Sequence, residues 1–179
     1  QVIHLVLLFA VTIGLSAEIM VGHLVGAGCL HDAHRLVRRL LGRGLLLAAG
    51  VSLLVALNGR WLLGWFTQDA HIIAAGATLL WITIALETGR TFNIVLVNAL
   101  RAAGDARYPL VAGAGSFALV MAGGSWFLGV HLGWGLVGVW VAYAADEWLR
   151  GLLNWWRWAG HGWVPAARQM HRRLRRQHA

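Results

Sequence analysis

Between Tyr108 and Ala145 the chain runs for 38 residues without a formally charged side chain. A helix rises about 1.5 Å per residue, so one straight helix of that length would be nearly twice the roughly 30 Å of a bilayer's hydrocarbon core. The run has to break, and Gly133-Trp134-Gly135 supplies the break. This predicts one span near Pro109 to His131, with the proline tolerated in the first turn, and another near Gly135 to Trp158. Windows of about 20 apolar residues give three earlier spans. The first is about Val2 to Gly28, where Glu18 is the single charged residue; the others are about Leu36 to Asn58 and about His71 to Leu100. In the second, Arg38, Arg39 and Arg43 snorkel toward headgroups from the helix end.

Composition closes off the alternatives. With 59% hydrophobic residues against 12% charged, a soluble globule would expose large apolar patches and associate. The expectation is an all-α, polytopic membrane protein of five transmembrane helices, with a bundle over residues 1–160 and a basic cytoplasmic tail over 161–179. Cys29 is the one cysteine, so no disulfide framework or cysteine metal site is predicted. The chain begins at Gln1 without a basic leader or cleavage site and reads as an internal piece of a longer protein.

All 15 basic residues are arginines, and they partition by loop. Arg35, Arg38, Arg39 and Arg43 flank the first junction, and Arg101 and Arg107 the third. Arg157, Arg168, Arg172, Arg173, Arg175 and Arg176 follow the last span. Only Arg60 lies on the opposite side, a bias of twelve to one that predicts an outside amino end and a cytoplasmic carboxyl end in the inner membrane. Trp61 and Trp65 at one interface, with Trp155, Trp156 and Trp158 at the other, fit aromatic belts. The tail from Arg168 to Arg176 lacks aromatic interleaving and reads as an anchor to anionic membrane lipid, with no nucleic acid as partner.

A charge inside a span costs on the order of 3 kcal/mol on insertion scales and persists when paired, hydrated or useful. Glu18 sits a little past the middle of the first span with no arginine within a turn, which suits a proton or cation site. Glu87 and Arg90 share a helical face in the third span, with Asn93 one turn further on. Glu87, Glu18, Arg90 and Asn93 are the candidates for cation or substrate binding. Asp146, Glu147 and Arg150 in the fifth span, with Arg101 and Asp105 at a junction, are structural or coupling candidates. Gly22 and Gly26 form a GxxxG pair suited to close helix contact. His31-Asp32-Ala33-His34 lacks further ligands for a metal, and Asp32 serves instead as a cap or first-turn acid. No nucleophile–base pair or phosphate loop points to an enzyme, and no cofactor is implied.

Two junctions resemble the multidrug and toxic compound extrusion (MATE) family of secondary transporters. One is Val21-Gly22 followed by Gly26-Ala27-Gly28; the other is Leu100-Arg101-Ala102-Ala103-Gly104-Asp105, similar to the family's Leu-Arg-Gly-x-Gly-Asp turn. Gly135-Leu136-Val137-Gly138-Val139-Trp140, Asp146, Arg150 and Gly162-Trp163 also look like the carboxyl end of such transporters. The resemblance implies two six-helix lobes and places the chain on the eighth to twelfth helices, with the amino-terminal lobe and seventh helix as missing partners. It further implies exchange of H⁺ or Na⁺ for bulky drug-like compounds by rocking of the lobes. The family's frequent tenth-helix acid falls on Arg90 here, with Glu87 one turn earlier. A related flippase or polysaccharide exporter for a lipid-linked substrate, or a non-transporting membrane scaffold, remains an alternative reading.

Overall fold

The computed structural model describes the backbone of residues 2–177 and the side chains of residues 8–176. The described residues are helical, without strands: α1 (Val2–Gly26), α2 (Leu30–Leu57), the short α3 (Gly59–Gly64), α4 (Ala70–Ala102), α5 (Arg107–Ser116), α6 (Gly135–Ala159) and α7 (Val164–Gln177). Beyond Ser116 the helix of α5 continues through two wider π-helical stretches, Phe117–Gly123 and Trp126–His131. Glycines crowd this region, and their low helix propensity leaves the backbone free to widen.

Four helical stretches are long and apolar enough to cross a membrane: Leu8–Gly26, Leu30–Leu57, Ala70–Ala102 and Arg107–His131. α6 occupies the residues expected for the fifth span and is 25 residues long. Asp146, Glu147, Arg150 and Arg157 dilute its apolar run, so it falls outside that set. The second helix starts at Leu30, six residues before the expected Leu36, because Asp32 and the arginines form its opening turns.

α4 is the central helix and packs on α1, α2, α3 and α6. Small and branched residues meet there: Ala17, Val21 and Val25 of α1, Val37 and Leu41 of α2, and Val95, Leu96 and Ala99 of α4 are all buried. Such side chains let helices approach closely where hydrophobic driving force is absent. The close approach of α1 to α4 occurs at Gly14, where a Cβ would lie 2.5 Å from Ile94 and Asn98. The Gly22–Gly26 pair does not do this within the chain: space at Gly22 is open, and Gly26 meets only Leu174 of α7.

α1, α4 and α6 finish at the same, arginine-rich end, each with the same device. Cys29 N–H bonds the Leu24 carbonyl and Gly28 N–H that of Val25. Asp105 and Gly104 repeat the pattern on Leu100 and Arg101, and Gly162 and His161 repeat it on Arg157 and Trp158. These are Schellman closures, which need a left-handed residue: Gly28 at φ +80°, Gly104 at +86° and, at some cost for a side chain, His161 at 59°. α7 lies across two of them. The His171 ring comes within 3.3 Å of a Cβ built on Gly28, and Met170 Sδ within 3.4 Å of one on Gly104.

Candidate functional site

The charged residues in the middle of α4 and α6 meet in one largely buried cluster. On α4, Glu87, Arg90 and Asn93 recur every three residues. On α6, Asp146, Glu147, Arg150 and Asn154 fall on one face. Arg90 Nη1 donates to Glu87 Oε1 at 2.5 Å, and its Nε lies 3.7 Å from Glu147 Oε1. Arg150 Nη2 reaches the same Glu147 oxygen at 3.2 Å and Asp146 Oδ2 at 2.6 Å. Asn93 donates to Glu147 Oε2 at 2.9 Å and accepts from Asn154 at 3.1 Å. Ser116, where α5 passes into its π-helical stretch, donates to Asp146 Oδ1 at 2.5 Å. Arg90 also stands over the Tyr143 ring, 5.2 Å from its centroid.

Glu87 and Asp146 are fully buried, and the formal count is three carboxylates to two guanidiniums. Glu87 Oε2 has no hydrogen-bond partner. A reciprocal interlock holds the two helices at this distance. Trp148 of α6 lies over Gly89, where a Cβ would fall 2.7 Å from its ring, and Phe92 of α4 lies over Gly151. Trp148 Nε1 donates to the Ala85 carbonyl at 2.8 Å, which satisfies the indole at this contact.

An open cleft of about 590 Å³ runs between α4, α5 and α6 from Arg101 and Pro109 down to Asn93 and Arg150. The cluster therefore borders this cleft at Asn93 and Arg150. Arg101 lines the outer part of this cleft and is exposed. Glu18 stands apart on α1, half-buried. Asp105 belongs to a separate latch: Arg157 Nε donates to it at 2.8 Å, and the same guanidinium lies over Tyr108, 5.1 Å from the ring centroid. Tyr108 in turn donates to the Leu153 carbonyl at 3.1 Å.

Ser116, Asn154 and Tyr143 escaped sequence reasoning. Asn154 stands one turn after Arg150 and could have been found by extending the polar face of α6. Ser116 lies among apolar residues and glycines, and only the tertiary alignment of α5 with α6 brings it to Asp146.

Comparison with known proteins gives a consistent result. The MatE family profile matches residues 1–126. The chain is 37% identical over 159 residues to the "Uncharacterized transporter YisQ" of Bacillus subtilis, covering 89% of the chain and 35% of that protein. It is 31% identical over 159 residues to the "Probable multidrug resistance protein NorM" of Rhodopseudomonas palustris, covering 84% of the chain and 33% of that protein. A protein of the same name from Idiomarina loihiensis is 28% identical over 107 residues, 60% of the chain and 23% of that relative. No solved structure matches. The chain thus spans about a third of the length of the first two of these curated relatives. A family profile over most of its residues, on a bundle of membrane-competent helices, establishes that the chain belongs to the MatE family.

Proposed function

We propose that the chain forms the eighth to twelfth helices of a cation-coupled multidrug efflux transporter, with its amino end outside and its carboxyl end in the cytoplasm. The names of the NorM relatives support the multidrug reading, and the arginine partition supports the orientation. In this reading α6 is the fifth crossing helix, its charges tolerated because they face α4. The observation that carries cation coupling is the surplus carboxylate of the α4–α6 cluster, with Glu87 buried and one of its oxygens unpartnered.

An unbalanced charge in a low-dielectric site is costly, and a proton or Na⁺ taken up there removes the imbalance. Asn93 and Arg150 link the cluster to the cleft, so a drug-like compound entering the cleft competes with or displaces that cation. Alternating access then requires a second lobe moving against this one. Arg90 keeps Glu87 engaged, so the exchanging charge belongs to the cluster, with Glu87 as the side chain that meets the cation.

The test is Glu87→Gln in the intact transporter. It leaves two carboxylates to two guanidiniums and removes the reason to take up a cation. Proton- and sodium-driven transport in vesicles should be lost while membrane expression is retained, and Glu18→Gln should cost less. Wild-type coupled transport by the Glu87→Gln protein would assign Glu87 to structure.

A further inference from the structure

A second groove lies outside this cluster, where α7 crosses the α1–α2 turn. Arg168 and Arg172, one turn apart on α7, line it together with His31, His171 and the backbone from Gly28 to Leu30. It continues past Leu30 and His31 along His34 and His161. No carboxylate lines either stretch. Among the described residues neither arginine has an acid within ion-pair distance.

Two hydrogen bonds fix where the histidines carry their protons. His171 Nδ1 lies 2.8 Å from the Gly26 carbonyl, which can only accept, so this nitrogen bears the hydrogen. Arg35 Nη2 lies 3.1 Å from His31 Nε2 and can only donate, so His31 keeps Nδ1–H as a donor. The first turn of α2, whose N-cap Cys29 makes no side-chain capping bond, starts at this groove, with the Leu30 N–H taken by the Gly28 carbonyl and Asp32 in the same turn. The groove thus combines two guanidiniums, a histidine donor and a helix start, beside an apolar wall of Leu30, Trp163, Val164 and Pro165.

We infer that this groove binds the phosphate of an anionic phospholipid headgroup. The inference rests on the proposed orientation, which puts the arginine-rich end at the cytoplasmic headgroup layer. It goes beyond a diffuse basic tail because only some of the arginines take part. The face of α7 turned to the bundle runs through Ala167, His171 and Leu174. Arg168 and Arg172 each follow a residue of that face by one position, about 100° around the helix, and line the groove. Arg173 and Arg176 do not line it. The depth also fits a lipid. α1 ends at Gly26 and α2 begins at Leu30, so in the proposed orientation the groove lies at the cytoplasmic ends of two crossing helices, and the apolar wall suits the glycerol end of a lipid.

Cys29 is exposed, lines the groove and is the chain's single cysteine, so it reports occupancy directly. The full chain is reconstituted in phosphatidylcholine liposomes with or without phosphatidylglycerol, and alkylation by an uncharged maleimide is timed. Phosphatidylglycerol should slow alkylation about thirtyfold, taking the scale of two arginines near a membrane surface. Arg168→Gln with Arg172→Gln should abolish the slowing. Arg173→Gln with Arg176→Gln, which removes the same charge, should preserve it. Equal loss in both pairs would reduce the effect to general surface attraction and overturn the site. Equal protection by inorganic phosphate in phosphatidylcholine liposomes would overturn the lipid assignment in favour of a free anion. Orientation is read separately, from whether an impermeant maleimide reaches Cys29 in intact cells. Labelling from outside would reject the orientation while leaving the liposome result to stand or fall alone.

Discussion

Glu147 is the side chain that turns two helix-local ion pairs into one network. Its Oε1 faces both Arg90 and Arg150, and its Oε2 accepts from Asn93. Without Glu147 the Arg90–Glu87 and Arg150–Asp146 pairs stay balanced, but the contacts that join α4 to α6 through the cluster are lost, and hydrogen bonds to charged groups contribute about 1.5–3 kcal/mol each. Glu147→Gln should therefore destabilise the purified protein by that order. Glu87→Gln, which leaves the contacts of Glu147 across the two helices in place, should lower the thermal unfolding midpoint far less; equal losses in a paired melt would contradict the bridging role. The sequence exposes half of this arrangement. Glu87 with Arg90, and Asp146 with Arg150, are neighbours by helical spacing alone, so local geometry suffices. Asn93 to Glu147 and Ser116 to Asp146 depend on how far α6 slides along α4 and α5, and no local rule contains that offset.

At the scale of elements, the slide is set by two glycines that accept each other's aromatic neighbours, Gly89 under Trp148 and Gly151 under Phe92. A side chain at Gly151 has no room, and overpacking of this kind typically costs about 1–3 kcal/mol. Gly151→Val should part α6 from α4 and lower the yield of folded protein in detergent. A variant with the parent's yield and melting behaviour would show that the interface has slack. The helices themselves were largely legible, because bilayer thickness limits span length and the Gly133-Trp134-Gly135 break falls just where α6 begins at Gly135. Less legible was which glycines matter. A GxxxG spacing marks a smooth strip, but only the crossing point decides its use, and here the tight helix contacts include Gly14, Gly89, Gly138 and Gly151. The π-helical stretches were also invisible, since they arise from weak constraint on a helix with few buried residues.

At the scale of the whole molecule, orientation can be read by cysteine labelling in a Cys29→Ser background. A cysteine near Gln68 should react with an impermeant reagent in intact cells, and one near Gln169 should be shielded; the reverse pattern would invert the bundle. Expressed by itself, the chain should insert without extruding dye, since alternating access needs a second bundle. Extrusion above the empty-vector level would defeat the proposed role. The placement of α7 has a consequence for biosynthesis. It leaves the ribosome after every helix it touches, so the turns at Gly28 and Gly104 stay uncovered until His171 and Met170 arrive. The bundle is finished from its carboxyl end. A stop codon directly after Ala159 would yield a polypeptide that inserts with its helices intact, keeps those two turns open, and becomes a substrate for membrane quality-control proteases.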